Sequence, residues 1–573
     1  IVHSGTYDNI VAGSGNKGKG IKEDTKVVLR NVTVLDTLAG GSAKDAGNIS
    51  GSTWIYATAL YMPGDYYEEK ELGYSWGDSL PKLLESTIIT GGSNGTSGAS
   101  DGQVSGSTHV LLSGISEVWD VQGGGRRGGT EVAETSYVEI SGNAVVKHIA
   151  CGGITDGQSS KPNVKDVHLS VNDDARVAML LGGGYDTWGS PGTGSTISGN
   201  ITIEIKGGTV GYVYGGGYRG SIGIESNSST TASPLESIKI DITGGKVLHD
   251  VFGGGRGGLD KVCHNSDGSI SWGSSQHDTV GHSKVYVKNL TIKIGENAVI
   301  GGNVYGGGES TPIITSYDGK STPYGGESLR GSNDAKVAYV DCDNLVMTIH
   351  GKVEGNVYGA GKGVDSNDLA DGRHSSAYIF ALDSDGNVAS IPWFTGSAAS
   401  TTISGNMDEF ASMTAGTVSI TIGAGAQIQH SVYGGGALGT LTGRSQNSLG
   451  IHVSLNGTAE VQGSVYGGGM GSEGKANAGH IETNEGSVTV DIQGGTVSQN
   501  VYGGGALGRT MAQNIKVIIG NGDTSTQTRV IGSVYGGGMG LLNDSVAGNV
   551  NSDISVIVKS DALIGGSVYG GGE

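Results

Sequence analysis

The phrase Val-Tyr-Gly-Gly-Gly restricts the fold of this chain more than any other feature. It closes the sequence as Val568-Tyr569-Gly570-Gly571-Gly572, and its aromatic recurs at Tyr535, Tyr502, Tyr466, Tyr433, Tyr358, Tyr305, Phe252 and Tyr214. From Tyr433 to Tyr569 the steps are 33, 36, 33 and 34 residues (466−433, 502−466, 535−502, 569−535). A fixed period of this size marks a repeat architecture, in which one supersecondary unit stacks on the next.

The unit from Ser487 to Gly505 is the cleanest. Val488, Val490 and Ile492 alternate with Thr489, Asp491 and Gln493, the period-2 pattern of a half-buried strand. Gly494-Gly495 interrupts as a corner, Val497 and Val501 follow, and Tyr502 leads into the glycine triplet. One such repeat cannot bury its own apolar stripe, whereas stacking sets Val490 against Val453 or Val517 of neighbouring coils. Glycine and β-branched residues at the periodic positions oppose a helical repeat. Coils that return in one direction give parallel sheets, and crossover handedness favours a right-handed turn. The expected fold is therefore all-β: a right-handed parallel β-helix, or β-solenoid, with coils of about 30–36 residues and loop insertions.

Composition agrees with a thin solenoid. Of 573 residues 109 are Gly, only 35% are hydrophobic and 6% aromatic, too few for a round core of this size. With 8 Pro and no triplet period the glycines do not describe collagen. A formal net charge of −20, spread along the chain, argues against nucleic acid or an anionic membrane as partner. Cys151, Cys263 and Cys342 are odd in number and unrelated in repeat position, so no disulfide framework is expected. No apolar run reaches membrane-spanning length. Ile1 is not an initiator Met and Glu573 directly follows a repeat, so the expectation is a processed or partial chain, or ends that meet another copy.

In chain order, residues 1–90 are expected to be degenerate coils around Ile10-Val11, Val27-Val28-Leu29 and Val32-Thr33-Val34, with an aromatic-rich insertion or cap at 51–85 and a short helix near Pro81-Lys82-Leu83-Leu84. Residues 91–573 form the solenoid proper. Its period stretches between Phe252 and Tyr433 (53, 53 and 75 residues, from 305−252, 358−305 and 433−358), placing long insertions near 256–290, 309–340 and 363–412. Insertions in solenoids emerge as loops on one side. Two contain hairpin patterns, Ile313-Ile314-Thr315 against Ser321-Thr322 and Ala377–Phe380 against Val388–Ile391. A dozen or more coils, roughly, at about 4.8 Å each give a length on the order of 60 Å.

Candidate sites begin with the aromatic column Tyr214, Phe252, Tyr305, Tyr358, Tyr433, Tyr466, Tyr502, Tyr535 and Tyr569, expected to stack as a ladder. Strict alternation after Val501 points Tyr502 outward. The favoured expectation turns the ring into the core with its hydroxyl on a backbone carbonyl, since a long exposed aromatic stripe invites aggregation. The glycine triplets are expected to supply positive φ and close packing rather than a phosphate cradle, because no helix start or Lys-Ser/Thr pair follows them. Trp54, Tyr66, Tyr67 and Trp76 are candidate ligand-binding aromatics. Cys263-His264, His277 and His282 have zinc-like chemistry without structural-site spacing, and Asp383-Ser384-Asp385-Gly386-Asn387 lacks the ligands of a full calcium loop, so neither metal nor cofactor is expected. The clustered acids Asp173-Asp174 and Asp341/Asp343 have no His or Arg recurring one coil away, which argues against a polysaccharide-cleaving site.

The repeated Gly-Gly-Thr-Val and Asn-Val-Tyr-Gly-Gly-Gly, as at Gly494 to Gly505, resembles large repetitive secreted or surface proteins of gut-type bacteria. More loosely it is similar to adhesin and autotransporter-passenger β-solenoids. The resemblance spans about Val118 to Glu573, implies an extracellular or cell-surface role in adhesion or fibre building, and brings no catalytic residues. The expected function is a non-catalytic structural or adhesive rod, with self-assembly end to end, glycans or a host surface as partners. The alternatives are a carbohydrate-binding adhesin and a polysaccharide-cleaving β-helix.

Overall fold

The computed structural model describes residues 1–15, 19–43, 47–62, 88–95, 102–126, 130–155, 163–186, 196–218, 220, 222–223, 234–257, 263–264, 270–271, 283–310, 316–317, 320–321, 338–363, 378–382, 388–392, 412–444, 448–473, 478–483, 485–523 and 527–573. Among these residues every regular element is a strand, and the ladders joining successive repeats are parallel.

Around Tyr502 the local pattern becomes three short strands, Ser487–Ile492, Thr496–Val497 and Val501–Tyr502. Val488, Val490 and Ile492 point inward and are fully buried, their branched side chains fitting the pleat. The first strand pairs with Gly450–Leu455 on one side and with Asn514–Ile519 on the other, so Val453, Val490 and Val517 share one column. Thr496 pairs with Glu460 and Arg529, and Tyr502 with Tyr466 and Tyr535. A single coil leaves both backbone edges and its valines uncovered, and its neighbours cover both.

Followed through the chain, the Tyr502 position is held by Val11, Ala39, Thr90, Gln122, Cys151, Leu181, Tyr214, Phe252, Tyr305, Tyr358, Tyr433, Tyr466, Tyr502, Tyr535 and Tyr569, fifteen levels paired one to the next, with register shifts beside this position only in early ladders. Fourteen steps of about 4.8 Å make a stack on the order of 65 Å long. A continuous aliphatic core runs inside it from Val27 to Val534.

Glycine has two separate uses. At the Gly494-Gly495 corner, Gly495 has φ +75°, and a Cβ there would lie 2.2 Å from the Ala459 carbonyl oxygen. The positive φ expected of the triplets is not found at Gly503, Gly504 or Gly505. Their requirement is closeness alone: a Cβ on Gly503 would lie 2.2 Å from the Gly536 oxygen, backbone against backbone in the next coil.

The start of the solenoid also differs from expectation. Thr53–Tyr61 is not part of an insertion but a regular strand, paired with Thr25–Thr33 before it and Thr108–Leu112 after it. Thr53, Ile55 and Ala57 face inward, and it is the outward Trp54 and Tyr56 that disguise the alternation. Residues 63–87, with the expected helix near Pro81, lie outside the described residues.

The three long insertions leave the ladder after Gly257, Ser310 and Gly363, at the same corner of successive coils, and the ladder resumes at Ser283, Ala338 and Met413. They contain the antiparallel pairs Cys263–His264 with Ile270–Ser271, Ser316–Tyr317 with Lys320–Ser321, and Tyr378–Leu382 with Val388–Pro392. The last hairpin lies against Val145–Thr155 and Arg176–Asp186, strands far earlier in the stack.

Candidate functional site

Val501 faces the aliphatic core, so alternation turns Tyr502 to the other side of the coil wall, yet the ring is only 1% exposed. The triplet explains this. It turns the chain back so that the fourth residue after each ring roofs the ring column: Tyr218, Arg256, Glu309, Lys362, Ala437, Met470, Ala506, Met539 and Glu573. Register pairs link this roof from coil to coil, Tyr218 to Arg256, Arg256 to Glu309, Glu309 to Lys362, and Ala437 to Met470. The rings thus build a second apolar layer, separate from the inner core. Adjacent centroids lie 4.7–5.0 Å apart from Tyr214 to Tyr569, with planes within 11° of parallel.

A buried phenol needs a partner for its hydroxyl, and for Tyr214, Tyr358, Tyr466 and Tyr502 that partner is a side chain, not the expected backbone carbonyl. For these four rings it comes from the roof two coils further on, and Tyr502 also accepts from Asn500 Nδ2 at 2.9 Å. Tyr214 donates to Glu309 Oε2 at 2.5 Å, Tyr358 to Met470 Sδ at 3.4 Å, Tyr466 to Met539 Sδ at 3.5 Å, and Tyr502 to Glu573. Burial pushes these phenols up, Tyr433 to about 12 and Tyr214 well above the usual range.

The roof changes character where the insertions leave it. Arg256, Glu309 and Lys362 occupy three successive levels as a cation, an anion and a cation. Glu309 lies 3.4 Å from Arg256 Nε and 3.1 Å from Lys362 Nζ, and Lys362 also approaches Asp250 at 3.8 Å. Burial alone would raise the Glu309 carboxyl, but Lys362, Arg256 and the Tyr214 hydroxyl outweigh it and hold it below its ordinary value of 4.5. Burial likewise opposes charge on Lys362, and Glu309 with Asp250 outweighs that and raises it. Beside the column, His249 stacks on Tyr212 at 4.7 Å, and burial lowers its pKa against the pull of Asp250. Each long insertion is rooted one residue past a member of this column.

A further ladder escaped sequence reasoning. From Asp250 to Ser533, the residue before each Val-Tyr or Val-Phe caps the next coil with its side chain. Asp250 Oδ1 accepts from Asn303 N at 2.7 Å, Asn303 Oδ1 from Asn356 N at 2.8 Å, and Asn356 Oδ1 from Ser431 N at 2.9 Å. Ser431, Ser464, Asn500 and Ser533 continue the series to Ser567. The signal was present as Asp, Asn or Ser at that one position in every late repeat.

Of the candidate ligand aromatics, Tyr66, Tyr67 and Trp76 lie outside the described residues. Trp54 stands on the outer face of its strand in a stack of its own, 3.5 Å from His109 at 0°, with His109 4.7 Å from Tyr137 at 5°. His109 has a ring on each side, and Trp54 has one face against His109. Burial lowers the His109 pKa, with Asp24 opposing.

The clustered acids are engaged. Arg444 pairs with both Asp341 (3.1 Å) and Asp343 from two coils on, beyond the one-coil spacing considered in the sequence. Asp173 adopts φ 57° and accepts from Gly142 N at 2.9 Å. Two carboxylates do meet on adjacent coils, Glu204 and Asp241, but Lys206 (2.7 Å) and Lys239 (3.0 Å) neutralise them. Cys263 and His264 lie in a short strand, while His277, His282 and the Asp383–Asn387 run are outside the described residues. Among the described residues no group of three or more His, Cys, Asp or Glu could hold a metal ion, and no helix is long and apolar enough to cross a membrane. Compared with protein-family models, curated proteins and solved structures, the chain matches none.

Proposed function

We propose that this chain is a non-catalytic, extracellular structural rod, coiled as a right-handed β-helix, whose mid-rod loops adhere to glycans or a host surface. The observation that carries the reading is the departure of three long insertions from one corner of three successive coils, each rooted beside Arg256, Glu309 or Lys362. Insertions gathered on one face of a solenoid are often its binding loops, and a rigid ladder beneath them holds their roots in place. End-to-end assembly of copies accompanies the reading, because every level offers the same parallel strand edge to whatever stacks on it.

Electron microscopy of the intact protein is expected to reveal rods on the order of 65 Å or multiples of that length. Glycan-array and cell-surface binding are expected to be lost when residues 259–281, 312–336 and 365–410 are each replaced by a short Gly-Ser segment, with the rod shape kept. Binding that survives all three replacements moves adhesion elsewhere, first to Trp54, Tyr66, Tyr67 and Trp76 of the carbohydrate-binding alternative. Release of reducing ends from a polysaccharide panel replaces the adhesive reading with the hydrolytic one.

A further inference from the structure

Among the described residues, the Tyr378–Leu382 and Val388–Pro392 hairpin pairs only with itself and has no ladder to the main sheet. A lone two-stranded hairpin is at best marginal in water, so its order must come from what it lies on. It lies against Val145–Thr155 and Arg176–Asp186, and Leu382 is buried. Its root is elsewhere: Lys362-Gly363 belongs to the Tyr358 level, whereas those two strands carry Cys151 and Leu181 at the ring position. Four to five levels separate root and dock, roughly 19–24 Å at about 4.8 Å each. Fourteen residues separate Gly363 from Tyr378, fifteen steps along the chain (378−363), and a chain of that length reaches up to about 50 Å.

The docking place is what gives this meaning. Cys151 and Leu181 are the last two levels before Tyr214, the first ring of the ladder. We infer that the hairpin is a strap: rooted at the Tyr358 level, it braces the strands that carry Cys151 and Leu181, four to five levels earlier, where the second apolar layer is still without the ring column.

Hydrogen exchange on two variants of the full chain tests this. Leu382→Asp places a charge in the docking contact without touching the ladder, and replacing residues 365–410 by a short Gly-Ser segment removes the strap altogether. In both, peptides covering Val145–Thr155 and Arg176–Asp186 should exchange about tenfold faster through local opening, while peptides covering Val488–Ile519 stay unchanged. Unaltered exchange in the first two peptides in both variants overturns the strap. So does uniform acceleration along the rod, which signals a general loss of stability instead.

Discussion

Two stretches of this rod share one backbone and differ in what lies against its outer wall. From Ala39 to Leu181 the ring position holds Ala39, Thr90, Gln122, Cys151 and Leu181, and from Tyr214 onward it holds nine stacked rings. The early second layer is partly polar. His148 Nδ1 and Asp120 Oδ1 lie 2.9 Å apart, Thr90 Oγ1 donates to the Gly124 oxygen at 2.7 Å, and Gln122 is fully buried with neither amide atom hydrogen-bonded. The late layer confines its polarity to phenol hydroxyls, the roof that meets them and the ion column. Since the ladder crosses the boundary without a break, the coil wall is specified by the inner aliphatic column and the glycine pinch. The second layer is a separate choice, free to be aromatic or polar.

That division predicts where the halves respond alike and where they diverge. The glycine pinch is common to both. A Cβ on Gly91 would lie 2.3 Å from the Gly123 oxygen and one on Gly503 2.2 Å from the Gly536 oxygen. Gly91→Ala and Gly503→Ala should therefore be equally damaging, each by at least about 4 kcal/mol in denaturant unfolding, because backbone can yield only by breaking the ladder. A large effect in one half alone would mean that the second layer, not the pinch, holds the coils together.

Acid should separate the halves. The Glu309 carboxyl has a folded pKa below its ordinary 4.5, so its contribution is complete above that value and is lost as pH falls through the folded pKa. Amide exchange in Val299–Tyr305 and Lys352–Tyr358 should accelerate below about pH 4.5, when Arg256 and Lys362 lose their shared counter-ion. Glu309→Gln should bring that loosening to neutral pH, at a cost of about 3 kcal/mol, and flatten the acid response. A variant that keeps the wild-type acid profile would show that Glu309 is not the group being titrated.

How much of this could be read beforehand follows from how local each signal is. Val488, Val490 and Ile492 alternate within six residues, and the Val-Tyr period repeats within forty, so the all-β stack of parallel coils was legible. The roof was not, because Tyr214 meets Glu309 and Tyr358 meets Met470 only after two further coils have been laid down. Aligning repeats on the triplet would have found the ion column, since Arg256, Glu309 and Lys362 all directly follow one or its Gly-Ala-Gly variant. It could not have told that Arg256 and Glu309 are buried. Trp54 misled for the opposite reason: its hydrophobicity suggested a cap, whereas its neighbours Thr53 and Ile55 already carried the inward alternation of an ordinary strand.

The finest contrast between the halves uses one side chain at one register position. Methionine is flexible, apolar and close in length to glutamine. At Gln122 it would replace a buried amide whose nitrogen and oxygen are both without a hydrogen bond, so Gln122→Met should stabilise by about 1 kcal/mol through relief of that desolvation. At Tyr502 the same residue would remove a ring packed 4.8 Å from Tyr466 and 4.9 Å from Tyr535, and leave Asn500 and Glu573 without the phenol oxygen. Tyr502→Met should therefore destabilise by about 1–2 kcal/mol, the aromatic stacking and hydroxyl contributions together. Paired denaturant melts read both signs. If the two substitutions act in the same direction, the second layer is one continuous environment at Gln122 and Tyr502. Opposite signs show that the layer changes between them, and because one apolar cluster joins Cys151 and Leu181 to Tyr214, the change falls between Gln122 and Cys151.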